Sequence, residues 1–507
     1  MFIASGVGNG LNYLFSMGLA RVLGPVEFGL YAIGVTYFNI LSQIAPLGAA
    51  IGVIKFVSES MARNERAYAY DTIKLAIKIT LISSMLIAAI LAAGAMPISH
   101  YLYSKPDLRP VLILFAIAIP FAASTTVLVS ALQALQIIKP TILIKYVWEP
   151  VGKVVLAGAT LFMGYHLLGA VAAIGLVIAV GTYMAIRVLQ AESFSGITKT
   201  ESAKASRFQE FVLFSSPVAI SNIFGVVAPR SDILILGYWV SAQEIGVYLA
   251  CLQTAGIITL VLGAFETAFA PFIARVLMLN DEGQLKTVYQ SLSRLVVLFT
   301  VPLWVLLNML ADPILGSFGD AFRAGWVPLA ILTTGHLVSS MASSPNHILL
   351  MGGHSQTVML NTIIIGVLQI VVSLILVQYL GTVGAAVAAT GALLTITLTR
   401  VFQVWRRYHI LPVSIHLLKP VVGGMVMMVT IFIARQILGP APYGLDILII
   451  GALGLAAYLG CQLVFGLESS EKSLIESLIK RVSAQTSGVA DEGHSNNDVV
   501  KIGHRNK

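Results

Sequence analysis

Apolar residues run along this chain in long blocks, and the blocks match a bilayer in length. Predominantly apolar segments recur near residues 2–20, 29–53, 75–96, 110–134, 147–164, 168–186, 211–237, 245–273, 292–310, 325–350, 358–378, 383–399, 420–437 and 445–466. About 20 apolar residues span the ~30 Å hydrocarbon core as an α-helix, and within lipid a helix satisfies its own backbone groups. The pattern therefore predicts an all-α polytopic membrane protein of about 14 transmembrane helices. Composition removes the alternatives. Of 507 residues 57% are hydrophobic and 11% charged, with a mean hydropathy of +0.88, against roughly 25% charged residues in soluble domains.

The first segment lacks a basic start and an Ala-x-Ala-like cleavage site, so it reads as a retained helix and not a signal peptide. Cys251 and Cys461 both fall within apolar segments and predict neither a disulfide framework nor a metal site. The basic residues set the orientation. With the N-terminus inside, the outer connections hold only Arg21, Lys105, Arg109, Arg323 and Arg435, while 24 of the 31 Lys and Arg fall in inner loops and the tail. This is the positive-inside asymmetry of a multi-pass chain in the cytoplasmic (inner) membrane with both termini cytoplasmic. It accounts for the net charge of +8 through anionic membrane lipids, with no nucleic acid as partner.

An internal duplication organises the spans. EFGLYA from Glu27 is matched by EIGVYLA from Glu244, 217 residues later, and GAVAA at Gly169 by GAAVAA at Gly384, 215 later. Two matches at nearly one offset predict two parallel-repeat six-helix lobes, an N-lobe over 1–190 and a C-lobe over 208–406, followed by two C-terminal helices over 418–466. Parallel repeats place a substrate path between the halves and allow one to rock against the other. Residues 467–482 alternate apolar and basic positions at helical spacing and predict a short amphipathic helix on the inner surface. Residues 483–507 are rich in Gly, Ser, Asn, Asp and His and predict a disordered cytoplasmic tail.

The stretch LARVLGPVEFGLYAIGVTYFNIL from Leu19 resembles the opening of the polysaccharide (O-antigen-type) flippases of the multidrug/oligosaccharidyl-lipid/polysaccharide exporter superfamily. SDILILGYWVSAQEIGVYLA from Ser231 is similar to that family's seventh and eighth helices, and LQALQIIKPT from Leu132 to the end of its fourth. The resemblance covers residues 1–465 or so. It implies a V-shaped transporter whose lobes enclose a central cavity, and a cargo of polyprenyl-diphosphate-linked oligosaccharide flipped by alternating access. In one respect the chain departs from the family. It starts almost directly at its first helix, without the usual cytoplasmic lead-in, which would place the true start upstream.

Ionisable residues inside spans are the site candidates, since each costs about 2.5–3.5 kcal/mol at a helix centre on insertion scales. Arg230 is either a cavity contact for diphosphate, whose oxygens a guanidinium meets bidentately, or an interfacial or lobe-to-lobe ion partner. Asp232, two residues on, is a second cavity candidate or a structural carboxylate. Glu149 and Lys153 are spaced to pair on one helix face, with Lys153 alternatively a second phosphate contact and Pro150 loosening the helix between them. Glu266 is a possible coupling-ion or proton site, or a carboxylate kept neutral by burial. His336 and His347 read as packing histidines, and Glu27 and Glu244 as charges favouring helix N-termini. Gly6, Gly8 and Gly10 include a GxxxG spacing of the kind that brings membrane helices together.

No GxxxxGK[ST] phosphate loop and no metal-spaced His/Cys cluster occurs, and the outer loops are short. The expectation is thus a transporter and not an enzyme, with no cofactor and with polysaccharide polymerase machinery as a possible partner. Two alternatives stand beside the flippase: a cation-coupled multidrug exporter of the same superfamily, and a membrane glycosyltransferase or ligase.

Overall fold

A computed structural model of the chain describes residues 2–193, 206–279, 281–438 and 445–466. Among these residues there is no β-strand. The first half holds α1 (Phe2–Ile44), α2 (Ala49–Ala62), α3 (Arg66–Pro97), α4 (Leu108–Ala134), α5 (Ile138–Ile142), α6 (Glu149–Gly152), α7 (Gly158–Phe162) and α8 (His166–Ser193). The second half holds α9 (Ser206–Val227), α10 (Ser231–Trp239), α11 (Ala242–Met278), α12 (Glu282–Met309), α13 (Ala311–Gly316), α14 (Trp326–Ser340), α15 (Pro345–Met351) and α16 (Ser355–Tyr408). α17 (Leu418–Leu438) and α18 (Leu445–Phe465) close the described chain. The predicted surface helix over 467–482 and the tail over 483–507 lie outside the described residues, as does most of the connection between the halves.

Two of these helices are too long for one crossing. α16 has 54 residues, or ~80 Å at 1.5 Å per residue, against a hydrocarbon core of ~30 Å. It doubles back at Gly381, where φ is 54° and ψ is −130°. α1 doubles back at Gly24 (φ 73°, ψ 172°), followed by Pro25. A positive φ costs glycine nothing, and proline suits the first position of the helix that follows. Each long helix therefore comprises two limbs. Among the described residues, nine helical stretches have the length and apolarity to cross a membrane, so the chain is a multi-pass membrane protein.

The third crossing of note is built differently. Pro150 has no N–H to give, and wide π-helical turns over Leu143–Trp148 and Lys153–Ala157 flank α6. One continuous path from α5 to α7 thus carries Glu149 and Lys153 on a loosened backbone. Trp148 Nε1 ties this path to α8 through a 2.9 Å bond to the Val177 carbonyl.

Buried residues form four apolar clusters, and the largest spans both halves, including Leu19, Phe28, Phe115, Tyr248, Phe318 and Phe322. This cluster lies at the end of the molecule holding Gly24, residues 240–242 and Gly381, here called the crossing face. The opposite end carries the loops at 63–65, 279–281, 352–354 and 409–417 and is called the basic face.

Candidate functional site

The halves meet at the crossing face through the duplicated motif itself. A Cβ on Gly29 would lie 1.7 Å from the Ala242 carbonyl oxygen, and one on Gly246 would lie 2.2 Å from the Pro25 carbonyl oxygen. Pro25 and Ala242 are related by the same 217-residue offset as Gly29 and Gly246. The contact is reciprocal, as in a two-fold crossing where each partner presents the same patch. Only glycine fits at either position, because small residues let membrane helices approach to backbone contact.

Other groups seal this end. Lys105 Nζ, from the α3–α4 connection, donates to the carbonyls of Gly237 (2.8 Å) and Val240 (3.1 Å) at the end of α10. It supplies positive charge where a helix C-terminus presents unpaired carbonyls. Burial pushes the Lys105 pKa below its usual value. Tyr37 and Tyr103 join hydroxyls at 3.0 Å, and Phe28 meets Phe322 edge-on at 6.0 Å. Arg323 pairs with Asp312 and, at 3.2 Å, with Asp320, holding the α13–α14 connection in shape.

Deeper along α1 and α11, the two halves are joined by the Tyr13 hydroxyl and Thr254 Oγ1 at 3.1 Å. Gly6, Gly10, Gly256 and Gly263 have nothing within 4 Å of where a Cβ would stand. On the other flank the halves stay closed. Gly48 and Gly52 press against Ser215 and Phe211 of α9, Phe56 packs on Phe211 and Phe214, and Lys55 Nζ sits 4.2 Å from the Phe214 ring centre. The halves thus meet at the crossing face and along α2–α9, whereas at Gly6 and Gly10 of α1 and at Gly256 and Gly263 of α11 no neighbouring atom lies within 4 Å of a Cβ position.

The candidate residues fall at two depths. Counting helical rise from the crossing face, Lys153 and Arg230 lie ~14 Å in and Asn12 ~18 Å in. Lys153 Nζ donates to Asn12 Oδ1 at 3.4 Å, and Asn12 Nδ2 in turn donates to the Gly8 carbonyl at 3.0 Å. Among the described residues Lys153 makes no ion pair with Glu149 within 4.0 Å. Arg230, in the 3₁₀ turn Ala228–Arg230, donates Nη1 to the Val226 carbonyl of its own helix at 3.3 Å. Among the described residues, then, each of these two candidate cations, one from each half, has its hydrogen bonds to neutral oxygens. Both keep donors for an anion.

Asp232 is placed otherwise. It is 0% exposed, with Oδ1 accepting from the Ile233 amide and Oδ2 from the Tyr248 hydroxyl, each at 2.8 Å. In this conformation it braces α10 against α11 and touches no open space. Glu266 lies ~36 Å from the start of α11 by helical rise, close to the basic face. Its carboxylate is 3.9 Å from His347 Nδ1, with Ser344 and Arg400 beside it. Ser344 lies in the break between α14 and α15. The structure thus groups Glu266 with His347 and Arg400, and does not bring it to Arg230 or Lys153.

The helix starts also differ from their sequence reading. Glu244 does serve an N-terminus, as half of a capping box with Ser241, whereas Glu27 Oε2 is buried with no hydrogen-bond partner. The Gly6/Gly10 spacing does not mark a packed face. Gly8, on the opposite side of the helix, makes the close approach, 3.0 Å from the Tyr146 carbonyl.

Sequence reasoning missed Asn12, Lys105, Tyr13, Thr254 and Tyr248. For Tyr248 the signal was present, since it is the tyrosine of the duplicated Glu-x-Gly-x-Tyr motif. For the others no local pattern distinguishes them from neighbouring polar residues.

The profile of a family described as polysaccharide biosynthesis proteins matches residues 18–324. No curated protein matches the chain. Among solved structures the chain is similar to the lipid II flippase MurJ in an inward closed conformation, at 15% identity over 91% of this chain and 98% of that one, with a TM-score of 0.73. It is also similar to the inward-facing conformation of a multidrug resistance MATE family transporter of the MOP superfamily (15% identity, 81% of this chain, 98% of that one, TM-score 0.64). A third is a MOP superfamily transporter from Pyrococcus furiosus (14% identity, 81% and 94%, TM-score 0.56). At these identities the likeness is one of fold.

Proposed function

The chain belongs to the polysaccharide biosynthesis protein family, and from that premise we propose that it flips polyprenyl-diphosphate-linked oligosaccharide across the cytoplasmic membrane. The observation that supports this reading is the reciprocal Gly29–Gly246 crossing, which joins the halves at one end only; beyond it we infer a cleft between them, open toward the basic face. Such a cleft suits a cargo whose head must leave hydrocarbon while its lipid tail stays in it. Lys153 and Arg230 are the groups that meet the diphosphate, one from each half, because guanidinium and ammonium donors to phosphate form the stronger, charge-assisted hydrogen bonds. Glu149 lowers the cost of holding Lys153 inside the span. The two six-helix lobes, 1–190 and 208–406, rock about the crossing by alternating access, and both termini face the cytoplasm. No bond is made or broken in the cargo. Polymerase machinery then takes the delivered oligosaccharide at the outer leaflet.

Glu266, with His347, is the site where a proton couples to this motion. That cluster also favours a second reading, a cation-coupled exporter of small molecules. The two are separated by expressing the chain in a host lacking its own flippase. Restored surface polysaccharide supports the first reading; inserted protein that extrudes toxic cations and leaves the surface bare overturns it. Within the first reading, Arg230→Ala and Lys153→Ala each lose a charge-assisted bond worth about 1.5–3 kcal/mol, so transport falls about 10- to 100-fold at unchanged membrane abundance. Equal loss of transport and abundance would assign those residues to folding instead.

A further inference from the structure

At the basic face the two limbs of α16 border a half-open cavity that the transport reading does not use. Its volume is about 530 Å³, and it is lined by Thr357, Thr399, Phe402, Gln403, Arg406 and Arg407. None of the six is acidic. Arg406 and Arg407 form the last turn of α16. Among the described residues neither makes an ion pair within 4.0 Å, so two guanidinium groups face this cavity without a countercharge. Their field extends to the start of the helix, where burial and then the charge of Arg407 push the His354 pKa below its usual value.

The cavity has firm walls and a defined depth. Gln403 is locked to Asn361 by two reciprocal amide bonds of 2.8 and 3.1 Å, and one turn deeper Arg400 Nη2 donates to Thr362 Oγ1 at 3.2 Å. These bonds hold the limbs at a fixed separation. By helical rise Arg406 lies ~38 Å from the Gly381 bend, just beyond a ~30 Å hydrocarbon core, so the guanidinium groups stand at headgroup level. Beside them Phe402 and Trp405, with ring centres 5.8 Å apart, are 55% and 44% exposed, and Leu398 continues the apolar surface toward the bilayer. Paired arginines, the threonine hydroxyl of Thr357 and an aromatic wall leading into hydrocarbon fit an anion attached to acyl chains. Planar guanidinium forks match phosphate oxygens bidentately, and basic pockets between helices on the cytoplasmic side are where anionic headgroups bind.

We propose that this cavity holds the phosphate headgroup of a membrane lipid, at a site separate from Arg230 and Lys153. Two sources share that chemistry: a bulk anionic phospholipid, and the diphosphate of a polyprenyl carrier waiting at the inner leaflet.

The test uses the full-length chain in nanodiscs of phosphatidylcholine containing one part in ten phosphatidylglycerol, with retained lipid counted by mass spectrometry. The wild-type chain is expected to enrich phosphatidylglycerol. R406Q/R407Q should lower its apparent affinity about 30-fold, or about 2 kcal/mol at 1.4 kcal/mol per decade, taking about 1 kcal/mol per basic group. R406K/R407K keeps the charge and loses the fork, and should recover only part of that loss. Lys286→Gln, an exposed basic residue elsewhere on the same face, should change nothing. Displacement of the retained lipid by undecaprenyl diphosphate at equimolar concentration identifies the carrier as occupant; resistance to it identifies the phospholipid; displacement by inorganic phosphate alone overturns the lipid assignment. Enrichment unchanged in R406Q/R407Q, at unchanged melting temperature, overturns the site altogether. A wild-type chain that retains lipid through these arginines yet flips no cargo removes the transport reading and leaves this site standing.

Discussion

The same two helices, α1 and α11, carry glycines at both ends, and the glycines do opposite things. Near the crossing face Gly29 and Gly246 are in backbone contact with the facing helix; toward the basic face Gly6, Gly10, Gly256 and Gly263 face open space. A missing side chain permits close approach in the first case and keeps a wall bare in the second. The difference shows that glycine content by itself says little about a membrane helix. What matters is whether the surrounding chain brings another backbone up to it. In lipid there is little hydrophobic drive between helices, so the crossing depends on van der Waals contact at those glycines. The open end owes its shape to the lack of such contact.

The largest effect should come from filling the crossing. Gly29→Val and Gly246→Val each place carbon atoms within 2.5 Å of a facing carbonyl oxygen, where no side-chain movement can help because the neighbour is backbone. Overpacking of ordinary cores costs about 1–3 kcal/mol, and a clash with backbone should exceed that. Both variants should lose most membrane abundance and all complementation, read by immunoblot and surface polysaccharide. Gly6→Val and Gly256→Val, made in parallel, should keep both. If Gly29→Val complements like the wild-type chain, the crossing does not hold the halves together.

A smaller effect separates the two copies of the motif. Tyr248 donates to the fully buried Asp232, whereas its counterpart Tyr31 sits among Phe28 and Phe115 as a packed ring. Tyr248→Phe strands a carboxylate oxygen in the interior and should cost about 1–3 kcal/mol; Tyr31→Phe should cost under ~0.5 kcal/mol, as for a change away from any buried polar bond. The melting temperatures of the two purified variants test this. In Asp232→Asn the cost of Tyr248→Phe should shrink, since residues sharing one hydrogen bond are not additive. Equal shifts for the two tyrosines would show that the copies are chemically alike after all.

Much of this fold was legible because bilayer length and hydrophobic run length are one constraint. The runs, the break between 2–20 and 29–53, the duplicated motifs and the cations inside spans all stand in the sequence. The partners do not. Lys153 was expected to face Glu149 four residues away, and instead its bond of 3.4 Å goes to Asn12 on another helix. A loosened backbone around Pro150 lets the lysine turn outward, which spacing on a regular helix cannot anticipate. Asp232 could be read as a cavity group or a structural carboxylate; its partner Tyr248 is not legible locally, because 16 residues of chain turn back at the crossing face to bring the two together. Of Gly6, Gly8 and Gly10 only Gly8 stands against another backbone, where a Cβ would lie 3.0 Å from the Tyr146 carbonyl oxygen, because the other two occupy the opposite side of α1.

A lighter touch at the closed end should loosen the crossing without destroying it. Lys105 joins the first half to the last carbonyls of α10 through bonds of 2.8 and 3.1 Å, and Lys105→Met keeps the stem while removing the donors. Loss of charged hydrogen bonds at a partly exposed site should cost about 1 kcal/mol, which shifts an equilibrium between closed and open crossing about five-fold. The shift is readable as faster thiol labelling of a Ser317→Cys reporter, because Ser317 closes over α1 through Met17 and Arg21. Labelling unchanged by Lys105→Met would mean that the glycine contact alone sets the closed state.

The smallest effect should appear at the open end, and its sign is the useful part. Gly256 lies mid-helix with nothing within 4 Å of a Cβ position, so Gly256→Ala meets no clash and gains helix propensity, about 0.5–1 kcal/mol in favour of the variant. The same change at Gly246 removes a contact that only hydrogen permits. One methyl group, placed ten residues apart on α11, should therefore stabilise at one position and disrupt at the other. Thermal unfolding in a single detergent measures both. If Gly256→Ala lowers the melting temperature, then another surface meets this face of α11 for part of the time, and its bareness belongs to one state of the molecule.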